Sequence, residues 1–93
     1  AIICGNDILA TGALYGATAA GLSVPNDISI AGIGDFKGSS DIEPALTTVR
    51  LPAKRIGQNA AIALANAIVK PDEIVTGTHC EPELIIRGSC AKI

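Results

Sequence analysis

Two short apolar runs separated by one helix-length segment constrain this chain more than any other feature. The first is Ala1-Ile2-Ile3-Cys4 and the second Ile28-Ser29-Ile30-Ala31-Gly32-Ile33. The first run leads directly into Asn6-Asp7, side chains that cap helices by accepting from free N–H groups of the first turn. Residues 8–20 then place Leu9, Ala13, Ala17 and Ala20 near helical spacing. Gly21 suits the position after a helix end, where a left-handed backbone is needed, and Leu22 is placed to fold back on the last turn. Val24-Pro25-Asn26-Asp27 is a turn, so residues 1–33 read as one strand–helix–strand unit, which requires a right-handed crossover and parallel strands. Both strands are expected to be buried. Gly12 and Gly16 each cost the helix about 1 kcal/mol of propensity, which close approach of another backbone would explain.

Beyond residue 33 the chain changes character. Residues 34–46 carry Gly34, Gly38, Ser39, Ser40, Asp41, Glu43 and Pro44 and read as a loop, either irregular throughout or with one helical turn. Thr47-Thr48-Val49-Arg50 is β-branched and extended. Pro52 fits the first turn of a second helix, whose apolar stripe is Ile56, Ala60, Ala63, Leu64, Ala67 and Ile68, and Lys70-Pro71 ends it. Residues 71–78 form a polar loop, Pro82-Glu83-Leu84-Ile85-Ile86-Arg87 is extended, and the tail from Gly88 is expected to be loose. Of the 93 residues 48% are hydrophobic but only 2% are aromatic, so core volume must come from Ile, Leu, Val and Ala, the composition of closely packed α/β layers. The fold class is therefore α/β, a parallel sheet flanked by helices. The strands are too few to close a doubly wound sheet, and the chain opens inside an apolar run without Met, so it is expected to be an incomplete piece of a larger domain.

The chemistry-bearing residues exclude several classes. Net charge is −2, and the only basic pair, Lys54-Arg55, is too small to hold a polyanion. No run reaches the roughly 20 apolar residues of a membrane span. Cys4, Cys80 and Cys90 lack metal-ligand spacing and read as reduced thiols of a cytoplasmic protein. Glycines at 32, 34 and 38 do not make a dinucleotide fingerprint, His79 has no nucleophile partner motif, and Asp41 and Glu43 read as a solvated loop. We expect no enzyme activity, no metal and no cofactor.

In order along the chain stand Ile3-Cys4-Gly5-Asn6-Asp7, Ala10, Gly12-Ala13-Leu14, Gly21-Leu22, Val24-Pro25, Asp27-Ile28-Ser29-Ile30 and Gly32. There follow Pro44, Leu46-Thr47-Thr48-Val49-Arg50, Pro52, Gly57 and Leu84-Ile85-Ile86-Arg87-Gly88-Ser89. This series resembles the LacI/GalR family of transcription regulators over nearly the whole chain. The resemblance implies a type I periplasmic-binding-protein fold of two subdomains with a small-molecule effector, a sugar or related metabolite, in the cleft between them. It implies that residues 1–49 belong to the C-terminal subdomain. Residues 50–78 would form a crossing segment and a helix packing in the N-terminal subdomain, and 79–93 a return strand and tail. DNA would be contacted only by regions outside this chain. A periplasmic sugar-binding component of an ABC transporter, with the same fold, is the alternative.

By the same resemblance four residues are candidates for effector contact. Asn6 either faces the effector or only caps the helix; Asp7 is read as a cap. Many relatives carry Asp where Gly34 stands, so Asp35 is the nearest carboxylate, either turned inward to the ligand or solvated. Phe36 either stacks on a ligand or packs in a core or interface. Arg50 either pairs with a carboxylate between subdomains or is a surface charge, and Leu51 offers an apolar contact at best. Homodimerisation is expected through Ala10, Thr11, Leu14, Tyr15 and Ile42.

Overall fold

A computed structural model describes residues 1–93. The chain forms two compact units, residues 1–51 with 83–93, and residues 52–82. In the first, β1 (Ile2–Ile3), α1 (Asp7–Ala19), β2 (Ile30–Gly34), β3 (Thr47–Arg50) and β4 (Glu83–Ile85) build a four-stranded sheet of order β1-β2-β3-β4. β1, β2 and β3 are parallel, with Ile2 opposite Ile30, Ala31 opposite Thr47 and Gly34 opposite Arg50. β4 is antiparallel to β3, with Arg50 opposite Glu83 and Thr48 opposite Ile85.

α1 begins where expected. Asn6 is extended and its Oδ1 accepts from Leu9 N at 2.9 Å. The helix ends in a Schellman motif: Leu22 N donates to Ala17 O at 2.9 Å and Gly21 N to Thr18 O at 3.0 Å, with Gly21 at φ +83°. α1 packs through Ala10 and Leu14 on Ile30, with Leu46 completing a small core of fully buried apolar residues. Cys4, Ala13, Ala17, Val24 and Ile42 close around it, half-buried.

This packing corrects the expected dimer contacts. Ala10 and Leu14 are consumed by the core of their own chain and have no surface to offer a partner. Thr11 is half-buried, its hydroxyl donating to Asp7 O at 2.8 Å. Ile42 packs against the core, and only Tyr15 of the five is exposed. No chain atom lies near a Cβ built at Gly12 or Gly16, so the close approach expected there is not made within this chain. The outer strand β1 likewise leaves Ile2 and Ile3 exposed rather than buried.

The tail is not loose. Ser89 is fully buried, and its Oγ accepts from Thr47 N at 2.8 Å and donates to Ile30 O at 2.5 Å. Its backbone pairs with both sides: Ile30 N donates to Ser89 O and Ser89 N to Ala45 O. Ala91 N reaches Ser29 Oγ at 3.1 Å. One serine thereby joins the start of β2, the start of β3 and the segment after β4.

The second unit is α2 (Ala53–Val69) and the segment to Pro82. None of the α2 residues is buried. Ile56, Ala60, Ala63 and Ala67 line one side of an open groove of about 670 Å³, with Ile74 and Val75 among the residues opposite. No helix of the chain is long and apolar enough to cross a membrane.

Candidate functional site

In open α/β sheets ligands are held outside the carboxyl ends of the strands. Here that edge carries Asn6 just past β1, Gly34-Asp35-Phe36 at the end of β2 and Arg50 at the end of β3. Its geometry is set by two glycines on one face of β2. A Cβ at Gly32 would lie 2.4 Å from Asp7 Oδ1 and 3.1 Å from Ala10 Cβ. A Cβ at Gly34 would lie 2.3 Å from Phe36 Cε1 and 2.7 Å from its Cδ1. The first space is filled by a carboxylate and the second by an aromatic ring.

Asp7 is more than a cap. Its side chain is 2% exposed, and Oδ2 accepts from Ser39 Oγ at 2.6 Å and Phe36 N at 3.0 Å, while Oδ1 accepts from Thr48 Oγ1 at 2.6 Å. These bonds tie the first turn of α1 to the loop after β2 and to β3. Thr48 Oγ1 also accepts from Asp35 N at 3.3 Å. Buried carboxylates survive when several donors replace their lost hydration. Sequence reasoning missed this centre; its signal was the pair of glycines two apart on one strand face, which marks a place where another group enters.

Asp35 turns at φ +51°, a left-handed conformation that Asp tolerates better than most residues. Its carboxylate is bridged by two guanidinium groups: Arg50 Nε to Oδ2 at 2.7 Å and Arg87 Nη2 to Oδ1 at 2.7 Å. The hydrogen bond from Arg50, then that from Arg87, hold its pKa below the usual carboxylate value. Arg87 is fixed in turn, with Nη1 donating to Leu46 O at 3.0 Å and its backbone N to Thr47 Oγ1 at 3.0 Å. Arg50 is half-exposed and lies 3.6 Å from Glu83, the residue opposite it on β4. Both carboxylate partners of Arg50 thus lie in the first unit. The network spans the points at which the chain leaves that unit after Leu51 and re-enters at Glu83.

Of the four candidates, Asp35 and Arg50 are joined directly, and Phe36 is seated on Gly34, the residue opposite Arg50. Asn6 is half-buried and caps α1 through its amide oxygen. Leu51 is exposed. Cys4, Cys80 and Cys90 are free thiols, and no cluster of His, Cys, Asp and Glu could hold a metal ion.

The sequence matches the periplasmic binding protein-like domain family over residues 1–90. The HTH-type transcriptional repressor PurR of Proteus mirabilis is 41% identical over 98% of this chain, which corresponds to 27% of that protein. Among solved structures, a LacI family transcriptional regulator from Enterococcus faecium with bound ribose superposes with a TM-score of 0.86 at 32% identity, covering 98% of this chain and 34% of that one. A LacI family transcriptional regulator from Mycobacterium smegmatis gives a TM-score of 0.83 at 39% identity, with 96% and 32% covered. The chain belongs to the periplasmic binding protein-like domain family in its LacI/GalR form, and it spans about a quarter to a third of the length of these relatives.

Proposed function

We propose that this chain is the effector-sensing and dimerisation segment of a LacI-type DNA-binding transcription regulator, and that it binds a small metabolite, a sugar or a sugar-like compound, at the carboxyl edge of β1–β3. The observation that carries this reading is the convergence of Asn6, Phe36 and Arg50 on that edge, in a chain whose relatives are transcription regulators. Ribose in the Enterococcus faecium relative supports the ligand class. Asp35 acts by holding Arg50 and Arg87. Residues 1–49 belong to the C-terminal subdomain, 50–78 cross into the other, and 79–93 return; the breaks at 51 and 82 between compact units support that division. The effector acts through its differential affinity for two domain states, and DNA is bound by regions outside this chain. The regulator relatives favour this reading over a transporter component.

A homodimer is supported by the outward face of α1, where Ile8, Tyr15 and the glycines 12 and 16 form an exposed apolar strip without charge. Thermal-shift screening of the full-length protein against sugars, sugar acids and purines tests the central reading. Stabilisation by at least one of them is expected, and a flat response across the panel would contradict it.

A further inference from the structure

We infer that Phe36 is a specificity-determining residue, an aromatic platform that selects a cyclic effector with a flat apolar face and hydrogen-bond acceptors on its edge; the inference rests on the effector-sensing reading above. Phe36 is 42% exposed, yet its ring is not free to wander. Three ring atoms fall within 3.0 Å of where a Gly34 Cβ would stand, so the ring lies against the strand backbone in the space that a side chain at 34 would occupy. Its backbone N is pinned by the Asp7 carboxylate at 3.0 Å. A ring fixed in this way loses little freedom when a ligand stacks on it, which is how a preorganised aromatic contributes affinity.

The polar groups around the ring define the rest of the ligand. Both oxygens of Asp35 are occupied by arginines, and those of Asp7 by Ser39, Thr48 and Phe36 N. Every oxygen of Asp7 and Asp35 is thus already engaged by the protein, and the exposed carboxylate at this edge, Glu83, lies 3.6 Å from Arg50. The half-exposed guanidinium of Arg50, paired through Nε with Asp35 and 3.6 Å from Glu83 through Nη1, keeps Nη2 to donate, opposite Gly34 in register and on the same sheet face as the ring. A donor beside an apolar face suits a ring whose rim bears acceptor or anionic oxygen or nitrogen, and an open-chain polyol has no flat face to lay on Phe36.

Calorimetric titration of the full-length protein with adenine, glucuronate, gluconate and sorbitol separates the possibilities, the first two being cyclic and the last two open-chain. We expect a cyclic probe to bind most tightly, adenine and glucuronate distinguishing a π face from a C–H face. Phe36→Ala should weaken that probe by about tenfold or more, the scale of one lost stacking contact. Phe36→Tyr should stay within about threefold of wild type, and Phe36→Leu, which restores volume without a flat face, should not rescue binding. An open-chain probe binding most tightly, or a cyclic probe bound equally by Phe36→Ala and wild type with unchanged unfolding midpoints, would overturn the platform while leaving the effector-sensing reading intact. Absence of binding by every probe would count against both.

Discussion

Replacing Asp7 by alanine removes the centre to which α1, the loop after β2 and β3 are tied. Two of the three donors it serves are themselves buried, Ser39 at 4% and Thr48 at 0% exposure. A hydrogen bond to a charged group contributes about 1.5–3 kcal/mol, so losing two buried ones sets an upper bound of about 6 kcal/mol. The third donor, Phe36 N, is only part-buried, so water can replace part of its bond. Water entering the vacated space recovers part of the rest, which leaves a destabilisation of about 2–4 kcal/mol, a large share of an ordinary domain's stability. Urea unfolding of the full-length protein measures it. The Thr48→Val change provides an internal control: it removes the hydroxyl that Asp7 accepts from, with the 3.3 Å bond from Asp35 N lost equally in single and double variants, so Asp7→Ala with Thr48→Val should cost less than the sum of the single changes by about 1–2 kcal/mol. An Asp7→Ala stability within about 0.5 kcal/mol of wild type, the range of an ordinary surface change, would show that Asp7 does not tie these elements together.

Gly32→Ala places a methyl 2.4 Å from Asp7 Oδ1 and 3.1 Å from Asp7 Cα, and overpacking against backbone is expected to cost about 1–3 kcal/mol in the same urea assay. Ser89→Ala leaves Thr47 N without its side-chain acceptor, a loss of about 1–3 kcal/mol that amide hydrogen exchange at Thr47 should also register as faster opening. Asp35 has its pKa lowered by Arg50 and Arg87, so its contribution to stability is present above the ordinary carboxylate pKa of about 4 and is lost as pH falls through the lower folded value. The melting-temperature gap between wild type and Asp35→Asn, a substitution that keeps the left-handed backbone comfortable, should therefore be constant at neutral pH and shrink in acid.

The chain's local punctuation was legible in its residues. Asn6 as cap, Gly21 and Leu22 as helix end, and the extended Ile30, Thr47 and Leu84 segments all follow from chemistry that acts within a few positions. What the residues did not disclose were the partners brought from afar. Asp7 meets Ser39 and Thr48, Asp35 meets Arg87, and Ser89 bridges Ile30 and Thr47, each across dozens of positions. A tail of Gly88-Ser89-Cys90 therefore reads as loose until the two strands it joins are known. Helical spacing alone likewise cannot tell which face of α1 meets the sheet. Gly32 leaves room for Asp7 and Ala10, Leu14 joins Ile30 and Leu46 in the core, and the exposed strip through Ile8 and Tyr15 is the remainder. The candidate site was half legible: Asp35, Phe36 and Arg50 stand together, but that Asp35 serves the arginines and not open solvent depends on Arg87 arriving from beyond β4.

In the proposed function, a ligand at the carboxyl edge of this sheet changes how the full-length protein holds DNA. Fluorescence anisotropy of the full-length protein on a labelled duplex that the protein itself selects from a random pool, titrated with the compound that stabilises it most, tests this directly. DNA affinity should change several-fold or more, with a midpoint that tracks the compound's own binding curve and moves to higher concentration in Phe36→Ala. DNA binding that is unaltered at saturating ligand would contradict the proposed function.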